Sequence, residues 1–423
     1  MKNVYDIRYE KNLIYVLPSE QSVRSQATLT QMYTCTVVIA YLYYLDTLSV
    51  YWSYLENVPQ EICICLVSSR MEVLMETKRH LEASGRTTIR CILKENRGRD
   101  VSALLVTCAD IIKKYKYVCF LHDKKEHNEE VKKDTALWIE NLWGNMIGST
   151  GYINRILQLF LKNPELGMLA PPEPVGDHFC TWYGYGWHDS FRITEELVKK
   201  LHLNTDIRPD KPPITIGTVL WFRRDALGKL FDYGWKYSEF DDEGLKRHNY
   251  LSYGIERLFP YVAQDAGYDT GTVMTGTYAE KQTNYLQHAL YRIFREAEEF
   301  FPVNDLADLD CYERNRKKIA DFAKRYKEVY LYGAGKMGRF CLAMLRKENI
   351  EPEGFIVTEL SKDFKVDCIP VRELKEHKCL QDIAVIVTVY DPAGQNEIAK
   401  LLEERGCWNY IRLWERDNLP VNF

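Results

Sequence analysis

From Thr36 onward the chain alternates short, nearly uninterrupted apolar runs with longer amphipathic segments. The runs 37–43 (VVIAYLY), 62–67 (ICICLV), 89–93 (IRCIL) and 117–121 (YVCFL) have the length and the β-branched or aromatic content of buried strands. Between them, residues 71–83 have helical spacing. Val101, Leu104, Leu105, Cys108 and Ile112 fall on one face of a further helix, with Asp100 well placed as its N-cap. Strand alternating with helix predicts an α/β fold with a mostly parallel sheet and ligands at the carboxyl ends of its strands.

The pattern then changes. Residues 170–211 are rich in Pro, Gly, Trp, Tyr and His and read as long loops. A strand at 218–223 (TVLWFR), a helix at 250–259, an amphipathic helix at 286–301 and a charged connector follow. A fresh α/β unit opens at 328, where VYLY leads into GAGKMGR and a helix; GFIVT, AVIVTVY, a helix at 396–405 and YIRLW complete it. The expected organisation is a large α/β domain over 1–304, a helical connector over 305–326, and a small Rossmann-like parallel-sheet domain over 327–423.

Residues 35–55 are long enough to span a bilayer, but Asp46 sits at their middle, where a charge costs several kcal/mol. They divide instead into a strand and a helix. The N-terminal residues carry charges throughout and do not read as a signal peptide. With 56 Lys+Arg against 60 Asp+Glu, the chain lacks the basic surplus of a nucleic-acid partner. Its 12 cysteines include no CxxC pair; Cys63, Cys65, Cys91, Cys108, Cys119 and Cys341 sit singly in apolar segments, as buried thiols of a reducing, cytoplasmic compartment would. The helix at 286–301 could attach the protein to the inner face of a membrane.

Five segments stand in a telling order: Asn96-Arg97-Gly98-Arg99-Asp100, Leu121-His122-Asp123-Lys124-Lys125, Asn163-Pro164-Glu165-Leu166-Gly167-Met168, Gly217-Thr218-Val219-Leu220-Trp221-Phe222-Arg223 and Ile255-Glu256-Arg257-Leu258. Over roughly residues 30–275 this order resembles the rhamnan synthesis protein F family of bacterial polysaccharide glycosyltransferases, with a GT-A-like nucleotide-sugar-binding fold. The resemblance implies inverting transfer of a sugar, rhamnose among the candidates, from a nucleotide-diphosphate donor to a lipid-linked or polysaccharide acceptor.

Such transfer needs positive charge at the departing diphosphate. Where GT-A enzymes carry a DxD carboxylate motif, this chain has His122, Asp123, Lys124 and Lys125. Asp123 alone stands ready for Mg²⁺ or Mn²⁺, and the lysines offer a substitute for the metal charge; metal dependence stays open. The donor would also meet Arg97, Arg99, Asp100, Gly217 and Thr218. A carboxylate must take the acceptor's proton, and Asp242 leads Asp241, Glu243 and Glu256 for that role. Trp182, Tyr183, Tyr185 and Trp187 could stack on acceptor sugars, although such density also suits packing.

In the C-terminal unit, Gly333, Gly335 and Gly338 form a GxGxxG between strand and helix, and Glu359 follows about 20 residues on, where a ribose-binding acid belongs. No Tyr-x-x-x-Lys pair accompanies it. It reads as a site for a nucleotide or NAD(P), or as a scaffold. Two alternatives to the transferase remain: a sugar-nucleotide oxidoreductase or epimerase working through this unit, and a non-catalytic nucleotide-sugar-binding protein.

Overall fold

The computed structural model describes residues 12–18, 26–125, 132–174, 187, 189–211, 213–215, 217–241, 250–298, 306–360, 365–377, 380–389 and 391–413. The chain forms two compact units, Met1–Tyr285 and Leu286–Phe423, and the border falls within the helix Gly276–Glu298.

The first unit is built on eight strands: β1 (Asn12–Leu17), β2 (Thr36–Tyr41), β3 (Cys63–Ser68), β4 (Ile89–Leu93), β5 (Tyr117–His122), β6 (Leu166–Ala170), β7 (Leu220–Arg223) and β8 (Asp269–Thr275). Their order is β1-β8-β6-β7-β5-β2-β3-β4. Only β7 runs against its neighbours β5 and β6; every other pair is parallel. The fold is α/β, as the strand–helix alternation leads one to expect. Every residue of β2 and β5 is buried, which is why these strands read as unbroken apolar runs.

Strand alternation sorts the side chains into two cores. Val38, Ala40, Cys119 and Leu121 pack with Tyr51, Trp143 and Ile153, whereas Val37, Ile39, Val118 and Phe120 pack with Leu104, Leu105, Ile255 and Phe259. The chain leaves β2 for β3 on one side, while β5 joins on the other. The order therefore switches between β2 and β5, and a crevice is expected at their carboxyl ends.

Several expectations need correction. The first helix after β4 begins at Arg99 with Gly98 as its cap residue, so Asp100 lies inside the first turn and is not the N-cap. The helix expected to stop before Pro260 runs through it, spanning Tyr250–Asp265. The amphipathic helix begins at Gly276 rather than 286. Strands β1, β6 and β8 are not among the expected elements. Cys91 is exposed rather than buried.

The second unit holds six strands, β9 (Val329–Tyr332), β10 (Gly354–Val357), β11 (Lys365–Val366), β12 (Ile369–Glu373), β13 (Ala384–Val387) and β14 (Tyr410–Arg412), in the order β11-β12-β10-β9-β13-β14. All pairs are parallel except β11 with β12. The helix Leu306–Ala323 contributes Ile319 and Ala323 to this unit's core. β9 has β10 on one side and β13 on the other, so Gly333–Gly338 sits at a second switch point.

Candidate functional site

The carboxyl ends of β2 and β5 gather residues from four distant segments. His122 ends β5, two positions beyond Phe120, so its side chain goes to the same layer as Phe120. That layer contains the start of the helix after β4 and the helix Tyr250–Asp265, which bring Asp100 and Glu256 into its electrostatic reach. The His122 Nδ1 lies 2.9 Å from the Asp123 carbonyl. A carbonyl only accepts, so Nδ1 carries the proton and Nε2 is an acceptor in the neutral ring. Burial pushes the imidazole below its ordinary value, against Asp100, which favours the cation.

Burial by itself would raise the Asp100 carboxyl, but His122, Thr218 and Lys124 together hold it below its ordinary value. Thr218 acts on it without a hydrogen bond of good geometry; its hydroxyl is buried with no such bond among the described residues. The Lys124 ammonium lies 3.8 Å from the Trp138 ring centroid. Burial draws it below an ordinary lysine, opposed by Glu256, Asp100 and Asp123. Its backbone is held on both sides by Tyr51, whose hydroxyl accepts from the Lys124 N–H and donates to its carbonyl, each at 2.8 Å.

Asp123 has a different task. Its Oδ2 accepts from the backbone N–H groups of Tyr43 (2.7 Å) and Tyr44 (2.8 Å), tying the loop after β2 to the end of β5. Burial raises its carboxyl to about 7, against those hydrogen bonds. Lys125 points away, paired with Asp46 at 2.5 Å.

Glu256 clamps the loop before β7. Pro260 lacks the N–H that would reach the Glu256 carbonyl one turn back; the Thr215 hydroxyl donates to that carbonyl instead, at 2.7 Å. The Glu256 carboxylate accepts from Gly217 N–H at 2.5 Å and pairs with Arg257. On the other rim, Gly98 N–H donates to the Asp241 carbonyl (3.0 Å) and Arg97 Nε to that of Phe240 (2.6 Å). Gly98 has φ +70°, and a Cβ there would meet Phe240 Cβ at 2.6 Å. The approach of the two segments requires glycine.

The structure thus brings together Asp100, His122, Asp123, Lys124, Gly217, Thr218 and Glu256, with Arg97, Arg99 and Asp241 on the adjoining loop contact. Trp187 is a correction: it is only 4% exposed, donates from Nε1 to the Arg208 carbonyl, and stacks on Tyr261, so its ring serves the core rather than a sugar. Asp242, Glu243, Trp182, Tyr183 and Tyr185 lie outside the described residues. The sequence reading missed Tyr43, Tyr44, Tyr51 and Thr215. Nothing in their spacing separates them from ordinary strand-end and loop residues.

As to a divalent cation, no group of three or more His, Cys, Asp or Glu converges among the described residues. Asp123, the residue read as its ligand, already has one oxygen engaged by two N–H groups. These residues do not make the oxygen-rich set that Mg²⁺ or Mn²⁺ takes.

In the second unit, Gly335 caps the helix Lys336–Lys347 and a Cβ there would meet nothing within 4 Å. Gly338 is the opposite, since a Cβ would fall 2.0 Å from the Gly333 carbonyl oxygen. Glu359 is exposed just beyond β10. Among the described residues no helix is long and apolar enough to cross a membrane.

A family model described as rhamnan synthesis protein F matches residues 1–268. No curated protein matches the chain.

Proposed function

Because the chain belongs to the rhamnan synthesis protein F family, we propose that its first unit is an inverting, GT-A-like glycosyltransferase of cell-surface polysaccharide assembly. It moves a sugar, with rhamnose the first candidate, from a nucleotide-diphosphate donor to a glycan. The supporting observation is the meeting of Asp100, His122, Lys124 and Thr218 at the switch between β2 and β5, where an α/β sheet receives its ligand.

In this reading the acceptor hydroxyl attacks the anomeric carbon, the bond from that carbon to the diphosphate oxygen breaks, and its electrons leave with the diphosphate. Lys124 rather than Lys125 faces the growing negative charge, since Lys125 is already paired with Asp46. Asp100, Thr218 and the His122 Nε2 hold hydroxyls of the donor. The proton goes to a carboxylate of the run Asp241, Asp242 and Glu243; of these, Asp241 has its backbone carbonyl bonded to Gly98 N–H beside the Asp100 loop. Glu256, bound to Gly217 and Arg257, serves as a positioning residue. No step is routed through a metal.

The second unit carries its own reading: a nucleotide or NAD(P) held at the Gly333–Gly338 turn, with Glu359 toward the ribose. The open space at Gly335 favours it.

A thermal-shift panel of dTDP-, UDP- and GDP-sugars and NAD(H), with Mn²⁺ or with EDTA, tests both. A rise with one nucleotide sugar, kept in EDTA and weakened in Asp100→Asn and Lys124→Met, is expected. A rise with NAD(H) alone would sink the transferase.

A further inference from the structure

A second concavity lies apart from this cluster, on the same edge of the first sheet. It is a cleft of about 210 Å³ whose walls include Tyr54, Glu140, Asn145, Tyr152, Thr277 and Tyr278. Thr275, which ends β8, also lines it. From β5 to β8 is three strand steps, so its centre lies on the order of 14 Å along the edge from the end of β5. Trp143 stands between: its Nε1 donates to the His122 carbonyl at 3.0 Å, and its ring lies 6.0 Å from that of Tyr54.

The walls are held in place from behind. Asn145 Oδ1 accepts from Thr275 N–H (2.9 Å), Thr275 Oγ1 accepts from Tyr278 N–H (3.1 Å), and the Tyr278 hydroxyl donates to the Glu173 carbonyl (2.9 Å). Asn57 holds the Gly148 carbonyl at 3.0 Å and its own carbonyl accepts from the Thr150 hydroxyl at 2.6 Å. Against this rigid frame, the hydroxyls of Tyr54, Tyr152 and Thr277 make no hydrogen bond among the described residues. That of Tyr152 is also buried, a state that costs about 1–3 kcal/mol unless a partner arrives.

The chemistry of the lining selects its ligand. Among the described residues no Lys or Arg lines the cleft, and the one carboxylate there, Glu140, is paired with Lys281 at 2.7 Å. A phosphate would meet Glu140 with its charge matched by Lys281, and so no net positive charge. An apolar ligand would leave the three hydroxyls unpaired. A neutral polyhydroxylated ring can lie against the half-buried Tyr54 and give the waiting hydroxyls a partner. We propose that this cleft holds one sugar ring of the acceptor glycan, a few residues back from the end that reacts. The assignment rests on the transferase reading for the word acceptor, but not for the binding of a saccharide.

The test is calorimetric titration of the full chain with a short rhamnose oligosaccharide, against a maltose oligosaccharide of equal length. Two variants accompany wild type: Thr277→Trp, which fills the cleft from an exposed position, and Tyr152→Phe, which removes one buried hydroxyl and keeps the ring. Affinity for the rhamnose oligosaccharide is expected to fall at least tenfold in the first and severalfold in the second, while the nucleotide-sugar thermal shift persists. In turnover, KM should rise for a long acceptor and not for a monosaccharide acceptor. Unchanged affinity in both variants overturns the proposal, as does the absence of saccharide binding while the donor still binds. A chain that binds the oligosaccharide at the cleft and no nucleotide sugar at all keeps the cleft and overturns the transferase reading.

Discussion

At the scale of single residues, the HDKK segment resolves into four different jobs. Asp123 ties two loops together, so Asp123→Ala should leave the N–H groups of Tyr43 and Tyr44 without an acceptor and cost about 1–3 kcal/mol. Lys125→Ala, which breaks a pair with Asp46 that is 63% exposed, should cost about 1 kcal/mol or less. Urea denaturation of the two variants separates these outcomes. Asp123 also predicts a pH dependence. Its folded carboxyl is raised to about 7, so it binds its proton more tightly folded than unfolded. Its contribution to stability is full below about pH 4, the range of an unfolded carboxyl, and is lost as pH rises through about 7. Asp123→Asn keeps an oxygen for both N–H groups and abolishes the titration. The stability of wild type minus that of the variant should decline across this window and level off above it. A difference that grows with pH would contradict burial as the cause. The identity of the HDKK residues was legible in the sequence; the division of labour was not, because Asp46, Tyr43 and Tyr51 come from another stretch of chain.

At the scale of elements, the best-read segments were those whose pattern is enforced by burial on a single face or on both. Met71–Ala83, with Val73, Leu74, Thr77 and Leu81 buried, has the bounds its spacing predicts. β1, an edge strand with Leu13, Ile14 and Val16 exposed, lies before the strand–helix alternation that opens at Thr36 and is not among the expected strands. β8 was missed because DTGTVMT carries little alternation, its burial coming from neighbours on both sides. The helix expected over 250–259 continues through Pro260 to Asp265, since Thr215 from outside the helix meets the Glu256 carbonyl that Pro260 cannot. This gives a coupled prediction. Thr215→Val should destabilise by about 1–3 kcal/mol in wild type, by orphaning the Glu256 carbonyl. In a Pro260→Ala background a backbone N–H can take over, so the same substitution should cost less, with a coupling on the order of 1 kcal/mol in the double-mutant cycle. Additive costs would show that Thr215 acts elsewhere. Gly98→Ala offers a further check on the loop contact with Phe240. The positive φ and the 2.6 Å approach predict a loss of about 1–3 kcal/mol, read from the urea midpoint.

At the scale of the whole molecule, each unit has its own sheet and its own core, so unfolding should not be a single all-or-none step. Leu331→Ala, fully buried in the second unit, should lower one transition by about 2–5 kcal/mol. Tryptophan fluorescence from the buried Trp143, Trp187, Trp221 and Trp235 of the first unit should keep its midpoint in that variant. A shared shift would mean that the units unfold together. By itself, the order of apolar runs and turns determined the α/β class and, to within a residue or two, the strands β2 to β5. These follow from local periodicity, which every few residues reveal. Tertiary structure alone decided that Asp100 comes within electrostatic reach of His122 rather than capping a helix, that Trp187 belongs to the core, and that Glu256 holds Gly217 while the Lys124 ammonium lies over the Trp138 ring. Those outcomes depend on which residues meet across tens of positions, between elements distant in the chain, and on how the layers on either face of the sheet are filled. Local alternation tells which residues share a layer, but not which distant segments meet there.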